Sequence, residues 1–180
     1  SRFYSNSAKE GAGMVLDRTT IATISHTQWY NNVASEEGGG AIVRGEVFAT
    51  MRDCVIGPNN HAEGNGGGFL LDKLAHVNMI QSRIYENSAV SAGGGLRLQG
   101  KATITMRDSI VHANKAREGA GISAVEKTHI DIQASTFTYN NATERGGGIM
   151  TTHTNCPIEI NKNKKGAFKN KVAASNNNNN

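Results

Sequence analysis

Two carboxylates close the same three-residue string, Met51-Arg52-Asp53 and Met106-Arg107-Asp108. Paired acids are what glycoside hydrolysis requires, one protonating the leaving oxygen and one activating water across a gap of roughly 6.5–9.5 Å in inverting enzymes. His26 and Gln81 fall at matching intervals, so equal turns of chain would align His26, Asp53, Gln81 and Asp108 in one file. Tyr4, Tyr30, Tyr85 and His112 each follow a bulky apolar residue and form a candidate ligand surface, an aromatic strip suited to sugars. Glycine-rich blocks such as Gly38-Gly39-Gly40 suggest phosphate cradling, but no GxxxxGK(S/T) follows and each block leads into a strand-like run, not a helix. The six histidines show no zinc spacing with cysteines or carboxylates, so no metal and no cofactor is expected.

The elements that must position these groups are repeats. The glycine blocks end at Gly13, Gly40, Gly68, Gly95, Gly121 and Gly148, giving steps of 27, 28, 27, 26 and 27 residues. Ahead of each block stand a bulky apolar residue, two variable residues and an asparagine: Phe3-Asn6, Trp29-Asn32, Ile56-Asn59, Ile84-Asn87, Val111-Asn114 and Phe137-Asn140. A small residue (Ser1, Thr27, Cys54, Ser82, Ser109, Ser135) stands two places before the bulky one, and an alanine follows most asparagines by two. Alternating runs such as Ala49-Thr50-Met51 and apolar runs such as Ala41-Ile42-Val43 complete the unit. Period-two alternation over about five residues argues for sheet, so each repeat is read as three short strands.

Such units bury a face only by stacking like strands in parallel. The expected fold is all-β, a right-handed parallel β-helix of the pectin-lyase-like solenoid type, with about six coils of about 27 residues and a body on the order of 29 Å long. Phe3, Trp29, Ile56, Ile84, Val111, Phe137 and Phe168 form the expected inward stack. Asn6, Asn32, Asn59, Asn87, Asn114 and Asn140 form an expected structural ladder at a turn, where asparagine tolerates a left-handed backbone. Two coils separate Asp53 from Asp108, roughly 10 Å. The coil between supplies no acid and the turns are too short for groove walls, so no catalytic residue is assigned. Asp17, Arg44 and Asp72 read as a surface charge row of little energetic weight. Thr23, Thr50, Asn78, Thr105 and Asp131 only half supply the threonine array of an ice-binding face.

At this level the chain resembles the polymorphic outer membrane protein repeats of chlamydial autotransporters, defined by GGA(I/L/V) and FxxN motifs. Gly39-Gly40-Ala41-Ile42 matches the first; Phe3-Tyr4-Ser5-Asn6 and Phe137-Thr138-Tyr139-Asn140 match the second. Other copies relax to Trp, Ile or Val before the asparagine. The resemblance implies a surface-displayed adhesin segment, an autotransporter passenger with no catalytic residues. The implied partners are a host or neighbouring-cell surface protein or glycan, or further coils of the same protein, at the cell surface or outside it. The alternative is a polysaccharide-acting enzyme or carbohydrate-binding β-helix.

Residues 1–175 are expected to form the β-helix segment of a longer chain, and 176–180, all asparagine, a tail or linker. The chain starts inside a coil without a leader, and open strand edges call for caps or more coils. Ile160 to Phe168 spans eight residues where Ile132 to Phe137 spans five, and the net charge of +4 is concentrated in the insertion's Lys162, Lys164 and Lys165 with Lys169 and Lys171 close behind. Lys171 takes the place of the ladder asparagine. Without interleaved aromatics this cluster reads as a solvated coil, with no nucleic acid as partner. No run reaches the roughly 18 apolar residues of a span, so no direct membrane insertion is expected. Cys54 and Cys156 lie about four coils apart, too far for a disulfide, unless Cys156 pairs outside this segment. Asn141-Ala142-Thr143 is a glycosylation sequon, meaningful in a eukaryotic secreted protein.

Overall fold

The computed structural model describes residues 1–152, 156–161 and 168–169, and over these the chain coils into four parallel sheets. Sheet A holds Arg2–Tyr4, Gln28–Tyr30, Val55–Ile56, Arg83–Tyr85, Ile110–His112, Thr136–Thr138 and Phe168–Lys169. Sheet B holds Ser7–Glu10, Val33–Glu37, His61–Ala62, Ser88–Ala89, Lys115–Glu118 and Asn141–Arg145. Sheet C holds Met14–Leu16, Ala41–Arg44, Phe69–Asp72, Leu96–Leu98, Ile122–Ala124 and Ile149–Thr151. Sheet D holds Thr19–Ser25, Glu46–Arg52, His76–Ile80, Thr103–Arg107, His129–Gln133 and Ile158–Asn161.

Each coil therefore carries four strands, not the expected three. The extra strand occupies the stretch after the asparagine that the sequence presents as turn. Only two to five residues long, it has little room for alternation, and its inward residue is the small alanine at Ala34, Ala62, Ala89, Ala116 and Ala142. Backbone pairing defines it, as in Ala62 with Ala34 and Ala89. Backbone hydrogen bonds are invisible in side-chain types.

Alternation sorts the side chains elsewhere. In Glu46–Arg52 the inward Val47, Ala49 and Met51 are buried while Glu46, Phe48 and Arg52 are exposed. Trp29, Ile56, Ile84, Val111 and Phe137 are fully buried in register, each worth roughly 1.5–3 kcal/mol of apolar burial. Phe3 stacks on Trp29 at 5.5 Å, and Trp29 meets Phe69 edge-on at 5.2 Å. The backbone of Phe168 pairs with Phe137 and continues sheet A.

Among the described residues the corners are short turns, each marked by a left-handed residue. Between sheets A and B it is Ser5, Asn31, Asn59, Glu86, Ala113 or Tyr139, with φ from 51° to 60°. Between D and A it is His26, Asp53, Gln81, Asp108 or Ala134, with φ from 47° to 52°. Between B and C the first glycine of each block takes the role, as Gly93 does at φ 69°. The last glycine of the block serves a second need: a Cβ on Gly95 would stand 2.6 Å from the Gly121 carbonyl oxygen of the next coil.

Candidate functional site

From Asn32 onward the ladder asparagine is buried, and it follows the left-handed residue instead of adopting that conformation. Asn32 Nδ2 donates to the Phe3 carbonyl at 2.9 Å and to Asn60 Oδ1 at 2.9 Å. Asn60 then donates to Asn87, Asn87 to Asn114 and Asn114 to Asn140, at 2.9, 3.0 and 2.9 Å. Asn6 begins the row by donating to Asn32 at 2.9 Å. Asn59 is not in it. The Ile56 coil has one extra residue, because Pro58 accepts the bond from Asn31 N that Tyr30 and Thr138 accept from Ser5 N and Ala113 N. Asn59 thus moves to the exposed left-handed corner, where it donates to Asn31 Oδ1 at 3.2 Å, and Asn60 enters the ladder. By the same shift Pro58 stands between Tyr30 and Tyr85 in the aromatic file.

A second ladder crosses the D–A corner. Ser82, Ser109 and Ser135 hydroxyls donate within their own coil to Ile80, Arg107 and Gln133 carbonyls at 2.8, 2.8 and 2.9 Å. They accept from the backbone N–H of Cys54, Ser82 and Ser109 on the coil before, each at 3.1 Å. Cys54 sits in this row with its thiol toward the Arg52 carbonyl at 3.3 Å, and burial pushes that thiol's pKa up. Cys156 packs against Thr128 at 3.1 Å, and both cysteines are free.

The acid file forms as the spacing implies, on a convex corner. His26, Asp53, Gln81 and Asp108 are successive left-handed residues, with His26 Nε2 3.8 Å from Asp53 Oδ2 and Arg52 donating to Gln81 Oε1 at 3.4 Å. One small inward residue separates each from the next strand, so no wall rises to hold a polymer across Asp53 and Asp108. Arg44 bridges Asp17 at 3.2 Å and Glu10 at 3.1 Å, while Asp72 caps the Lys73 N–H at 2.7 Å. The Arg18 backbone N–H and then Arg44 hold the Asp17 carboxyl below the usual range.

His61, Ser88 and Glu63 supply the residue types of an acyl-transfer triad, with contacts of 2.8 and 3.4 Å from the two imidazole nitrogens. The same imidazole–hydroxyl contact joins His76 to Thr103 at 2.5 Å and His112 to Thr138 at 3.0 Å, always between registered residues of adjacent coils. Coil stacking, not chemistry, explains a contact that recurs on three sheets. Among the described residues no three His, Cys, Asp or Glu side chains gather to hold a metal.

The aromatic file divides in two. Tyr4 and Tyr30 cover one another's faces at 5.1 Å and 4°. Past Pro58, Tyr85 and His112 are registered neighbours and line a hollow of about 320 Å³ with Arg83, Glu86 and Ile110. Tyr139 meets His112 edge-on at 5.4 Å. Arg83, Glu86, Ile110 and Tyr139 were not singled out by sequence, although Tyr139 lies inside a quoted FxxN motif. A hollow of about 290 Å³ on sheet D is lined by Phe48, Thr50, His76, Asn78, Thr103 and Thr105, with Phe48 and His76 stacked at 4.8 Å and 10°.

Lys162, Lys164, Lys165, Lys171, the asparagine run 176–180 and the side chains of Phe168 and Lys169 lie outside the described residues. Comparison with curated proteins and with solved structures yields no match. The model of the right-handed β-helix region matches residues 1–165, which take in every ladder and hollow described, and the chain belongs to the right-handed β-helix family.

Proposed function

We propose that this chain is a non-catalytic β-helical segment of a cell-surface or secreted protein, displaying an adhesive face on a rigid stalk. The carrying observation is the stacking of four parallel sheets, coil on coil, joined by short turns at left-handed residues, which stiffens the body and leaves no long loop among the described residues to enclose a substrate. The GGA(I/L/V) and FxxN motifs support the finer reading as a repeat of the polymorphic outer membrane protein kind, facing a host or neighbouring-cell protein or glycan, or further coils. Among the described residues no helix is long and apolar enough to cross a membrane. The file of His26, Asp53 and Asp108 favours a second reading, a polysaccharide-acting enzyme.

Incubation with acidic and neutral polysaccharides, scoring both retention and product release, separates these readings. Retention without product is the expected result. Product that disappears in Asp53→Asn or Asp108→Asn would replace the adhesive reading with the enzymatic one. Absence of both narrows the function to the stalk.

A further inference from the structure

Three outward clusters carry aromatic side chains, and they differ in what stands beside the rings. Tyr4 and Tyr30 cover each other, as do Phe48 and His76. Tyr85 makes no ring contact among the described residues, and His112 is held by its edge contact to Tyr139 and by Thr138. These two residues line the hollow of about 320 Å³ together with the apolar Ile110 and the oppositely charged Arg83 and Glu86. That volume is at the small end of ligand pockets, roughly 300–1,000 Å³, and suits one ring better than a chain.

From this geometry we infer that the hollow is a binding subsite for a single neutral hexopyranose unit of a glycan. A pyranose has an apolar C–H face, which suits Tyr85 and the exposed Ile110 that line the hollow, and an equatorial rim of hydroxyls that both donate and accept. Arg83 supplies only donors, Glu86 only acceptors and His112 a ring nitrogen, so vicinal hydroxyls are satisfied from both directions. One cation and one anion line the hollow, which favours a neutral ligand over a uronate or sulfated sugar. The site is pre-organised: Ile84 and Val111 beneath it are fully buried, and Asn87, next to Glu86, is locked in the ladder. Little ordering entropy is lost when a ligand enters so rigid a surface.

The inference deepens the adhesive reading and rests on it. The test follows NMR shifts of the protein titrated with methyl β-galactopyranoside, methyl α-mannopyranoside and glucuronate, in parallel with adherence of the protein to cells and to a neutral-glycan array. Saturable shifts at Tyr85 and His112 with a neutral hexoside are expected, with at least a tenfold weaker response in Tyr85→Ala, and Tyr85→Phe retaining most of it. Both variants face outward, and an unchanged melting temperature confirms their fold. No neutral-hexoside shift, tighter glucuronate binding, or binding that survives Tyr85→Ala and disappears in Phe48→Ala overturns the subsite. If adherence persists in any of those cases the adhesive reading stands without it. If the protein adheres to neither cells nor glycans, that reading falls as well.

Discussion

Asn59 and Asn60 are adjacent, chemically identical and energetically unlike. Asn60 is fully buried, receives two bonds from Asn32 and donates to the Trp29 carbonyl and to Asn87. Asn59 is exposed at φ 60° with a single side-chain bond. Each buried group left without a partner costs about 1–3 kcal/mol, so Asn60→Ala should lower stability by at least that much in urea unfolding. Glycine accepts a left-handed backbone, and Asn59→Gly should change stability by less than about 1 kcal/mol. Equal effects would contradict the assignment of the ladder. At Asp17 the prediction concerns pH. A carboxyl held below its ordinary value of 3.8 adds stability above that pH and loses it only as pH falls through the lower, folded value. Because the Arg18 N–H is the larger cause and Arg44 the next, Arg44→Met should raise the Asp17 midpoint part of the way in an NMR titration. An unmoved midpoint would show that Arg44 contributes nothing.

At the scale of the elements, corners limit what each coil tolerates. Ser109→Ala removes the acceptor for the buried Ser82 N–H and should cost about 1–3 kcal/mol. Cys54→Ser puts a hydroxyl into a row that already uses them, and thermal unfolding should find that variant within about 1 kcal/mol of the parent. A reversed order would mean that the hydroxyl row is incidental. The glycine corner is stricter. Gly95→Ala places a methyl carbon 2.6 Å from a backbone oxygen that cannot move without its own coil, and overpacking of this kind costs about 1–3 kcal/mol. The middle position of the block already carries Ala12 and Ala120 in two coils, so tolerance differs between neighbouring residues of one corner.

The molecule as a whole behaves as a stack whose units contact only their neighbours. Removing residues 83–109 joins Ser82 to Ile110, which is in register with Arg83, and every sheet and both ladders can close across the join. Circular dichroism of that deletion should keep the β spectrum and a cooperative transition. Removing 83–95 instead deletes the sheet A and sheet B strands of one coil and joins the end of a sheet D strand straight to sheet C, so the coil cannot close and the transition should be abolished. If both deletions unfold alike, stability is not modular along the axis.

Much of this was legible because inward positions are chosen by burial, a large term repeated every coil. The period, the stack from Phe3 to Phe137, the inward small row and the runs that became sheets C and D all follow from spacing and side-chain type. Sheet B was not legible: its strands are defined by backbone pairing around alanines, and backbone bonds leave no side-chain signature. Nor was the identity of the ladder residue in the third coil, since Gly57-Pro58-Asn59-Asn60 offers two asparagines and only the bond from Asn31 to Pro58 shows where the extra residue is absorbed. The same holds for the surface. Sequence placed Tyr4, Tyr30, Tyr85 and His112 in outward files, but which rings stack on one another, and that Arg83, Glu86 and Ile110 gather with Tyr85 and His112 around one hollow, depends on side-chain directions between coils, which only the assembled stack decides.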